Sequence, residues 1–378
     1  MTLQLLSSQQ YPRIKSLFDE SMHSTLYDQG ILAGKYPGKV LVDDSEQPRS
    51  AILIKDIWCH LIGDPNNASF ISALRHALTE KQFIGEKTNV LFFMDPTEAW
   101  RKVLKGLIEN REPIETPRYV YVTTRGHQIQ IPPLPDECRL VFIDEAISSL
   151  VDGELPDDVQ KVLDLRKRSD APDEMGFGYA AIYGRICAAW SVIDFIVEKV
   201  GEIRLVTDSR YRRRGMVFLT SAMTINYGLA HGLDQIDWDV AASNIGSIST
   251  AKKLGLTLLR TTKEYTLIFP EVGYLINLAW SHLDGNRFEQ VHVVAERMIN
   301  SNKEILIQYG HFLIGAAWAG LDNSTKAFDH LNKAIDAGFD DTSELEGCPS
   351  LTKLHGMPEW IQIMERIENI PSQSTPAS

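Results

Sequence analysis

The chain has 378 residues, 44% hydrophobic and 23% charged, with 38 Lys and Arg against 50 Asp and Glu for a formal net charge of -12. This composition predicts a globular protein long enough for two or three domains, and the acidic total argues against broad binding to nucleic acid or to an anionic membrane. No apolar run is long enough to span a membrane and the N-terminus lacks a basic-then-apolar leader, so a cytoplasmic location is expected; Cys59, Cys138, Cys187 and Cys348 lack metal-ligand spacing, so neither a metal site nor a disulfide framework is expected.

In chain order, a helix is expected from Tyr11 to Met22, followed by short strands at Val40 to Val42, Ala51 to Ile54, Trp58 to Ile62 and Val90 to Phe93. Turns rich in Asp, Ser, Pro and Gly separate them, as at Asp43 to Pro48. The stretch reads as a small mixed α and β domain, residues 1–135. Its end is set at Ile131 to Asp136, where three prolines in four positions favour extended backbone and an interdomain linker.

The second stretch, residues 136–270, alternates elements. A helix is predicted at Asp157 to Arg168, a loop around Pro172, and strands near Tyr179 to Tyr183, Arg185 to Val192 and Glu202 to Thr207. Arg204 to Arg214 then holds five arginines and one aspartate, and after Gly215 come fifteen residues without a charge, Met216 to Ala230, which read as a buried helix stopped at His231-Gly232. A helix N-terminus offers unpaired N–H groups and a partial positive charge, so a strand, an arginine-rich turn and a glycine leading into a helix make an anion site. A solvated basic turn is the other reading of the same residues. Ile236, Trp238 and Val240 alternate with Asp237 and Asp239 as in a half-buried strand. A short helix ends at Lys252-Lys253-Leu254-Gly255, and two strands are expected near Leu256 to Leu259 and Tyr265 to Phe269.

These residues resemble the GNAT superfamily of N-acetyltransferases, and within it the group that includes zwittermicin A resistance proteins. Arg212-Arg213-Arg214-Gly215-Met216-Val217 sits on the family's pyrophosphate motif. Trp238-Asp239, Asn244 and Ser247 before Ala251-Lys252-Lys253-Leu254-Gly255-Leu256 match its second signature, in the family's order and spacing. The resemblance implies an α/β mixed sheet of the GNAT acyltransferase fold at 136–270, preceded by a degenerate copy of that fold at 1–135.

It also implies acetyl-CoA as cofactor. Leu205 and Val206 would pair with the pantetheine arm, and Arg212, Arg213, Arg214, Gly215, Met216 and Val217 would hold the diphosphate. Asn244 and Ser247 would contact the cofactor from the next loop, or act as helix caps. Glu202 stands where many members carry the base that deprotonates the amine; a surface glutamate paired with Arg204 is the other reading, and Asp237 and Asp239 are alternative bases. The oxyanion donor is expected near Val206. Two positions depart from the family: Val217 replaces a Gly or Ala, and Ala251 replaces the tyrosine that often protonates the departing thiolate, with Tyr211 and Tyr265 as conceivable substitutes.

From Glu271 the chain turns helical. Ala279-Trp280-Ser281-His282-Leu283-Asp284-Gly285 recurs as Ala317-Trp318-Ala319-Gly320-Leu321-Asp322-Asn323, 38 residues on, before helices at Phe288 to Ile299 and Thr325 to Ala337 and a further one at Pro358 to Ile367. The pattern resembles tetratricopeptide repeats, giving a helical domain at 271–370 and a disordered tail at 371–378. Two functions stand at this point. One is an acetyl-CoA-dependent N-acetyltransferase acting on a small-molecule or peptide amine by direct transfer in a ternary complex. The other is an acyl-CoA-binding module, weak or inactive as an enzyme, that recruits a protein partner through its helices.

Overall fold

Among the described residues, one series of ten elements runs twice through the first 268, the second time with an added 3-10 helix at Ser209–Tyr211. The computed structural model describes residues 2–18, 25–80, 85, 88–109, 111–134, 137–167 and 176–368. The first series is β1 (Gln4–Leu5), a 3-10 helix (Ser8–Leu17), α1 (Leu26–Leu32), β2 (Lys39–Val42), β3 (Ser50–Lys55), β4 (Trp58–Gly63), α2 (Ala68–Thr79), β5 (Val90–Met94), α3 (Glu98–Lys105) and β6 (Ile114–Thr124). The second is β7 (Cys138–Phe142), a 3-10 helix (Glu145–Ser149), α4 (Asp157–Lys167), β8 (Phe177–Tyr183), β9 (Ile186–Val197), β10 (Val200–Thr207), α5 (Met216–Ala230), β11 (Gln235–Ala241), α6 (Ile245–Lys253) and β12 (Thr257–Ile268). The end of the helix expected to reach Met22, the loop around Pro172 and the tail at 371–378 lie outside the described residues.

The strands form one twelve-stranded sheet in the order β1-β2-β3-β4-β5-β12-β6-β11-β10-β9-β8-β7. Read from its two ends, this order gives the two series in register, except that their last strands are exchanged. β12 lies beside β5, and β6 beside β11. Each series also holds one parallel pair where its helical crossover returns, β4 with β5 through Trp58 and Phe92, and β10 with β11 through Val200 and Gln235. Residues 1–85, 92–103 and 116–265 form one compact unit, and residues 86–91, 104–115 and 266–378 a second.

Helix α5 has the predicted limits, and Gly232 follows it with φ +108°. Its buried face includes Leu219, Ala222, Ile225 and Leu229, the last three packed with Ile203 and Ile236 of the strands beneath. The polar side chains on that face are satisfied inside: the Ser191 hydroxyl meets Thr220 at 2.9 Å and Ser221 at 2.8 Å, and Thr224 donates to the Ser191 carbonyl at 3.0 Å. On the other side of the sheet α4 packs on β8 and β9, and α1 on β9. The two strands expected after Gly255 are a single one, β12. Residues 260–264, unassigned between the two expected strands, belong to it: Glu264, 4% exposed, is paired with Arg118 of β6 at 3.1 Å, so the strand runs on.

The second unit contains α7 (Glu271–Asp284), α8 (Phe288–Ile299), α9 (Glu304–Gly320), α10 (Ser324–Asp336), α11 (Thr342–Gly347), a 3-10 helix (Pro349–Leu354) and α12 (Pro358–Glu368). The 38-residue recurrence falls on the ends of α7 and α9, so it marks two helical hairpins. Ala279 and Ala317 are both fully buried, and Gly320 is required because a Cβ there would come within 2.5 Å of the Phe288 ring.

Candidate active site

The parallel ladder between β10 and β11 joins Val200, Gly201 and Glu202 to Gln235, Ile236 and Asp237, and stops there. Both strands continue, β10 to Thr207 and β11 to Ala241, so the sheet opens between them beyond Glu202. Backbone direction on β10 follows from its two ends. The Lys199 carbonyl accepts from Asp234 N–H at 2.8 Å on the β11 side, and Asp208 N–H donates to the Ala188 carbonyl at 2.9 Å on the β9 side. Alternation therefore turns the polar groups of Ile203, Leu205 and Thr207 toward the opening, and those of Arg204 and Val206 toward β9, where Val206 faces Trp190.

A cleft of about 970 Å³ occupies the opening, at the upper end of the range for small-molecule sites, roughly 300–1,000 Å³. Nine of the ten residues predicted to hold the cofactor line it: Leu205, Val206, Arg212, Arg213, Arg214, Gly215, Val217, Asn244 and Ser247. The tenth, Met216, is 1% exposed and turns its side chain into the core beside Ala188 and Ala189. The Pro-rich segment expected as a linker also reaches the cleft, through Pro132 and Pro133. Sequence reasoning did not assign Phe218, next to Val217, or Thr250, one helical turn after Ser247, to the cleft, and it quoted Lys253 in the second signature without giving it a place there.

At one end of the cleft lies the N-terminus of α5. Among the described residues no side chain caps it, and it is entered through two left-handed residues, Arg213 at φ +62° and Gly215 at φ +75°. Successive N–H groups in such a turn converge on one point, and a non-glycine residue held there is strained, a condition that clusters at ligand clamps. The corresponding helix of the first series, α2, is closed. Asn67, 3% exposed, accepts from Phe70 N–H at 3.2 Å and donates to Asp43 at 2.7 Å and to Ser50 at 3.1 Å.

The five arginines divide by partner. Arg204 binds Asp194, which also accepts from Lys161 at 2.7 Å, so it is not the partner of Glu202. Arg210 is held by Asp208 at 2.7 Å, and this pairing pulls the Asp208 carboxyl down to about 2. Arg214 lies over the rings of Tyr183 and Tyr211, 5.7 and 5.4 Å from their centroids. Arg212 and Arg213 are exposed and make no ion pair among the described residues. Asn244 caps α6 by accepting from Ser247 N–H at 3.0 Å, and the Ser247 hydroxyl accepts from Trp238 Nε1 at 3.1 Å, so both also have structural work at the cleft wall.

Where the ladder ends, a small cavity of about 50 Å³ opens on the α1 side of the sheet, lined by Tyr27, Asp95, Glu202, Asp237, Asp239 and Arg260 among others. Burial, with the neighbouring charge of Asp239, raises the Glu202 carboxyl to about 7, against an opposing hydrogen bond from Tyr27 Oη at 2.9 Å. Burial also raises Asp237, which is 8% exposed. Asp239 is committed to Arg118 at 2.9 Å. The buried Nε of Arg260 and hydroxyl of Thr262 have no hydrogen-bond partner among the described residues, and both residues line this cavity. Ala251 is fully buried and Tyr265 3% exposed, while Tyr211 is stacked with Arg214. Tyr27 lies 175 residues from Glu202 in sequence, and no motif announces it.

A sheet opened between parallel strands, with an uncapped helix N-terminus at one end and a perturbed carboxyl at the other, forms a cleft whose shape and polarity suit an extended anionic ligand. The chain belongs to the GNAT acetyltransferase family, whose model matches residues 15–267. Among solved structures it is similar to a GCN5-related N-acetyltransferase from Sphaerobacter thermophilus, with 10% identity over 70% of this chain and 95% of that one and a TM-score of 0.50. It is also similar to a GCN5-related N-acetyltransferase-like protein from Streptococcus suis 89/1591, with 20% identity over 68% and 98% and a TM-score of 0.49. No curated protein matches. Among the described residues no helix is long and apolar enough to cross a membrane, and no group of three or more His, Cys, Asp or Glu could hold a metal ion.

Proposed function

We propose that the protein transfers the acetyl group of acetyl-CoA directly to an amine, with both bound at once. The observation that carries this is the opening between β10 and β11, which runs from the uncapped start of α5 to Glu202. The diphosphate belongs at the N–H groups of Gly215 to Phe218, beside Arg212 and Arg213. The pantetheine belongs along β10, where backbone direction favours Leu205 and Thr207 as its partners over Val206. The same direction makes the Leu205 N–H the donor to the developing oxyanion. Bound acetyl-CoA supplies a thioester carbonyl as electrophile.

The acceptor enters the cavity on the α1 side, where Asp95, Asp237 and Glu202 attract its ammonium form and the unpaired Arg260 and Thr262 atoms offer polar contacts. Glu202 takes a proton from the bound ammonium and so frees the lone pair that attacks the thioester carbonyl; a second proton leaves nitrogen to solvent as the C–S bond breaks, and a carboxyl titrating near neutrality suits the first task. With Ala251 buried and Tyr211 and Tyr265 turned elsewhere, solvent protonates the departing thiolate.

The first ten elements are a degenerate copy of the same fold, with α2 sealed by Asn67 against any second cofactor. The 38-residue hairpins are tetratricopeptide-like, a framework suited to holding a protein partner, and the zwittermicin A resistance group is the branch the motifs favour. The test is release of free coenzyme A thiol from acetyl-CoA across a library of amines. Thiol release with one or more amines, lowered roughly 100-fold in Glu202→Gln at unchanged acetyl-CoA affinity, is the expected result. Acetyl-CoA binding without thiol release from any amine would move the protein to the binding-module reading.

A further inference from the structure

The first half of the chain sends one side chain to Glu202. Tyr27, at the start of α1, donates its phenol hydrogen to Glu202 Oε1 at 2.9 Å, while Oε2 has no hydrogen-bond partner among the described residues. The phenol is held on several sides. Its ring is stacked on Trp58 at 6.3 Å and tilted against Phe195 at 4.8 Å, with Lys55 Nζ 5.5 Å from its centroid. The helix that carries it is pinned at the next residue. Asp28, 2% exposed, accepts from Thr25 N–H at 2.8 Å, from the Thr25 hydroxyl at 2.9 Å, and meets His60 Nδ1 of β4 at 2.6 Å. Beyond α1, Tyr36 bridges to Ile196, accepting from its N–H at 2.7 Å and donating to its carbonyl at 3.2 Å. A surface tyrosine making an incidental contact would not be braced by a buried carboxylate–imidazole contact and two aromatic rings.

We propose that Tyr27 is the positioning residue of the Glu202 base: by occupying Oε1 it fixes the carboxyl plane and leaves Oε2 as the oxygen that faces the acceptor cavity. This deepens the transferase reading and rests on Glu202 being its base. It also gives the first half of the chain a task beyond packing, because Tyr27, Asp28, Lys55, Trp58 and His60 all come from it. Burial, and then the nearby Glu202 charge, hold the phenol well above its ordinary range, so it stays a donor throughout the working pH. The other charged groups around Glu202 are Asp237 and Asp239 on β11, Arg204 on β10, Arg118 on β6, Arg260 on β12 and Asp95 after β5. None of them donates a hydrogen bond to its carboxyl among the described residues.

The experiment is a pH titration of the full-length protein labelled with 13C at the glutamate carboxyls. The Glu202 signal is identified as the one lost in Glu202→Gln, so no acceptor is needed. In Tyr27→Phe, which keeps the ring, the Glu202 midpoint is expected to rise by about one pH unit, because a hydrogen bond to the charged form has been removed. Acetyl-CoA affinity measured by calorimetry is expected to stay within about twofold. An unmoved or lowered midpoint would overturn the inference. So would loss of acetyl-CoA binding together with the signal shift, since that would mark Tyr27 as a strut of the whole fold. Failure of the transferase reading is separate: it appears as missing thiol release in a protein whose Glu202 titrates as described.

Discussion

Among the described residues, two of the five arginines that make the basic turn conspicuous, Arg212 and Arg213, make neither an ion pair nor a ring contact. Arg204, Arg210 and Arg214 are occupied by Asp194, by Asp208 and by two tyrosine rings. Replacing Arg212 and Arg213 together by alanine therefore removes the turn's available charge while leaving its internal contacts. Arg213 already sits at φ +62°, which costs an alanine no more than it costs an arginine, so backbone shape is kept. An exposed charge-assisted contact to phosphate is worth about 1 kcal/mol once solvent and salt screen it, so the pair contributes about 2 kcal/mol, or ~30-fold in Kd. Calorimetric titration of acetyl-CoA reads this directly. The Arg210→Ala control should stay within about twofold, and the wild-type affinity should fall more steeply with added salt than that of the double variant. An unchanged Kd in the double variant, or an equal loss in Arg210→Ala, would refute the assignment of the diphosphate to this turn.

Three further outcomes are expected. The Glu202 carboxyl is raised from 4.5 to about 7, so its contribution to stability is fully present below the unfolded value and is lost as pH rises through the folded one. Denaturant unfolding of Glu202→Gln and wild type should therefore diverge in the variant's favour between pH 5 and 8, by up to about 3 kcal/mol, and parallel curves would contradict the burial of that charge. Ala251→Tyr, offered as a repair of the missing family tyrosine, should instead cost about 1–3 kcal/mol by overpacking a fully buried site and should not raise turnover. Phe312→Ala in α9, where the ring is fully buried and stacked on Phe339 at 4.7 Å, should destabilise the helical unit by about 3–5 kcal/mol in a chemical melt.

Local features were legible in the sequence. The uncharged run at 216–230, the glycines closing α5 and α6, and the asparagine before α6 each follow from short-range chemistry, and the structure repeats them almost residue for residue. Nine of the ten predicted cofactor residues meet in one cleft because the two motifs flank a single strand opening. What stayed hidden depends on distant partners. Glu264 falls in the gap between two expected strands until Arg118, 146 residues away, pairs with it and lets β12 run through. The exchange of β6 and β12 leaves no local mark, since each strand has an ordinary pattern wherever it lies. Backbone direction on β10 requires knowing which neighbour each end bonds, so Leu205 could not be set above Val206 from sequence. Tyr27 escaped for the same reason: its task is defined by a helix that packs across β9, and nothing in Leu26 to Leu32 points there.

A crystal structure with acetyl-CoA tests the central claim most directly. The diphosphate should lie within hydrogen-bond distance of the N–H groups of Gly215 to Phe218, and the pantetheine should pair with Leu205 and Thr207 in the opening beyond Glu202. A diphosphate bound away from the start of α5, or a pantetheine arm outside the gap between β10 and β11, would contradict it.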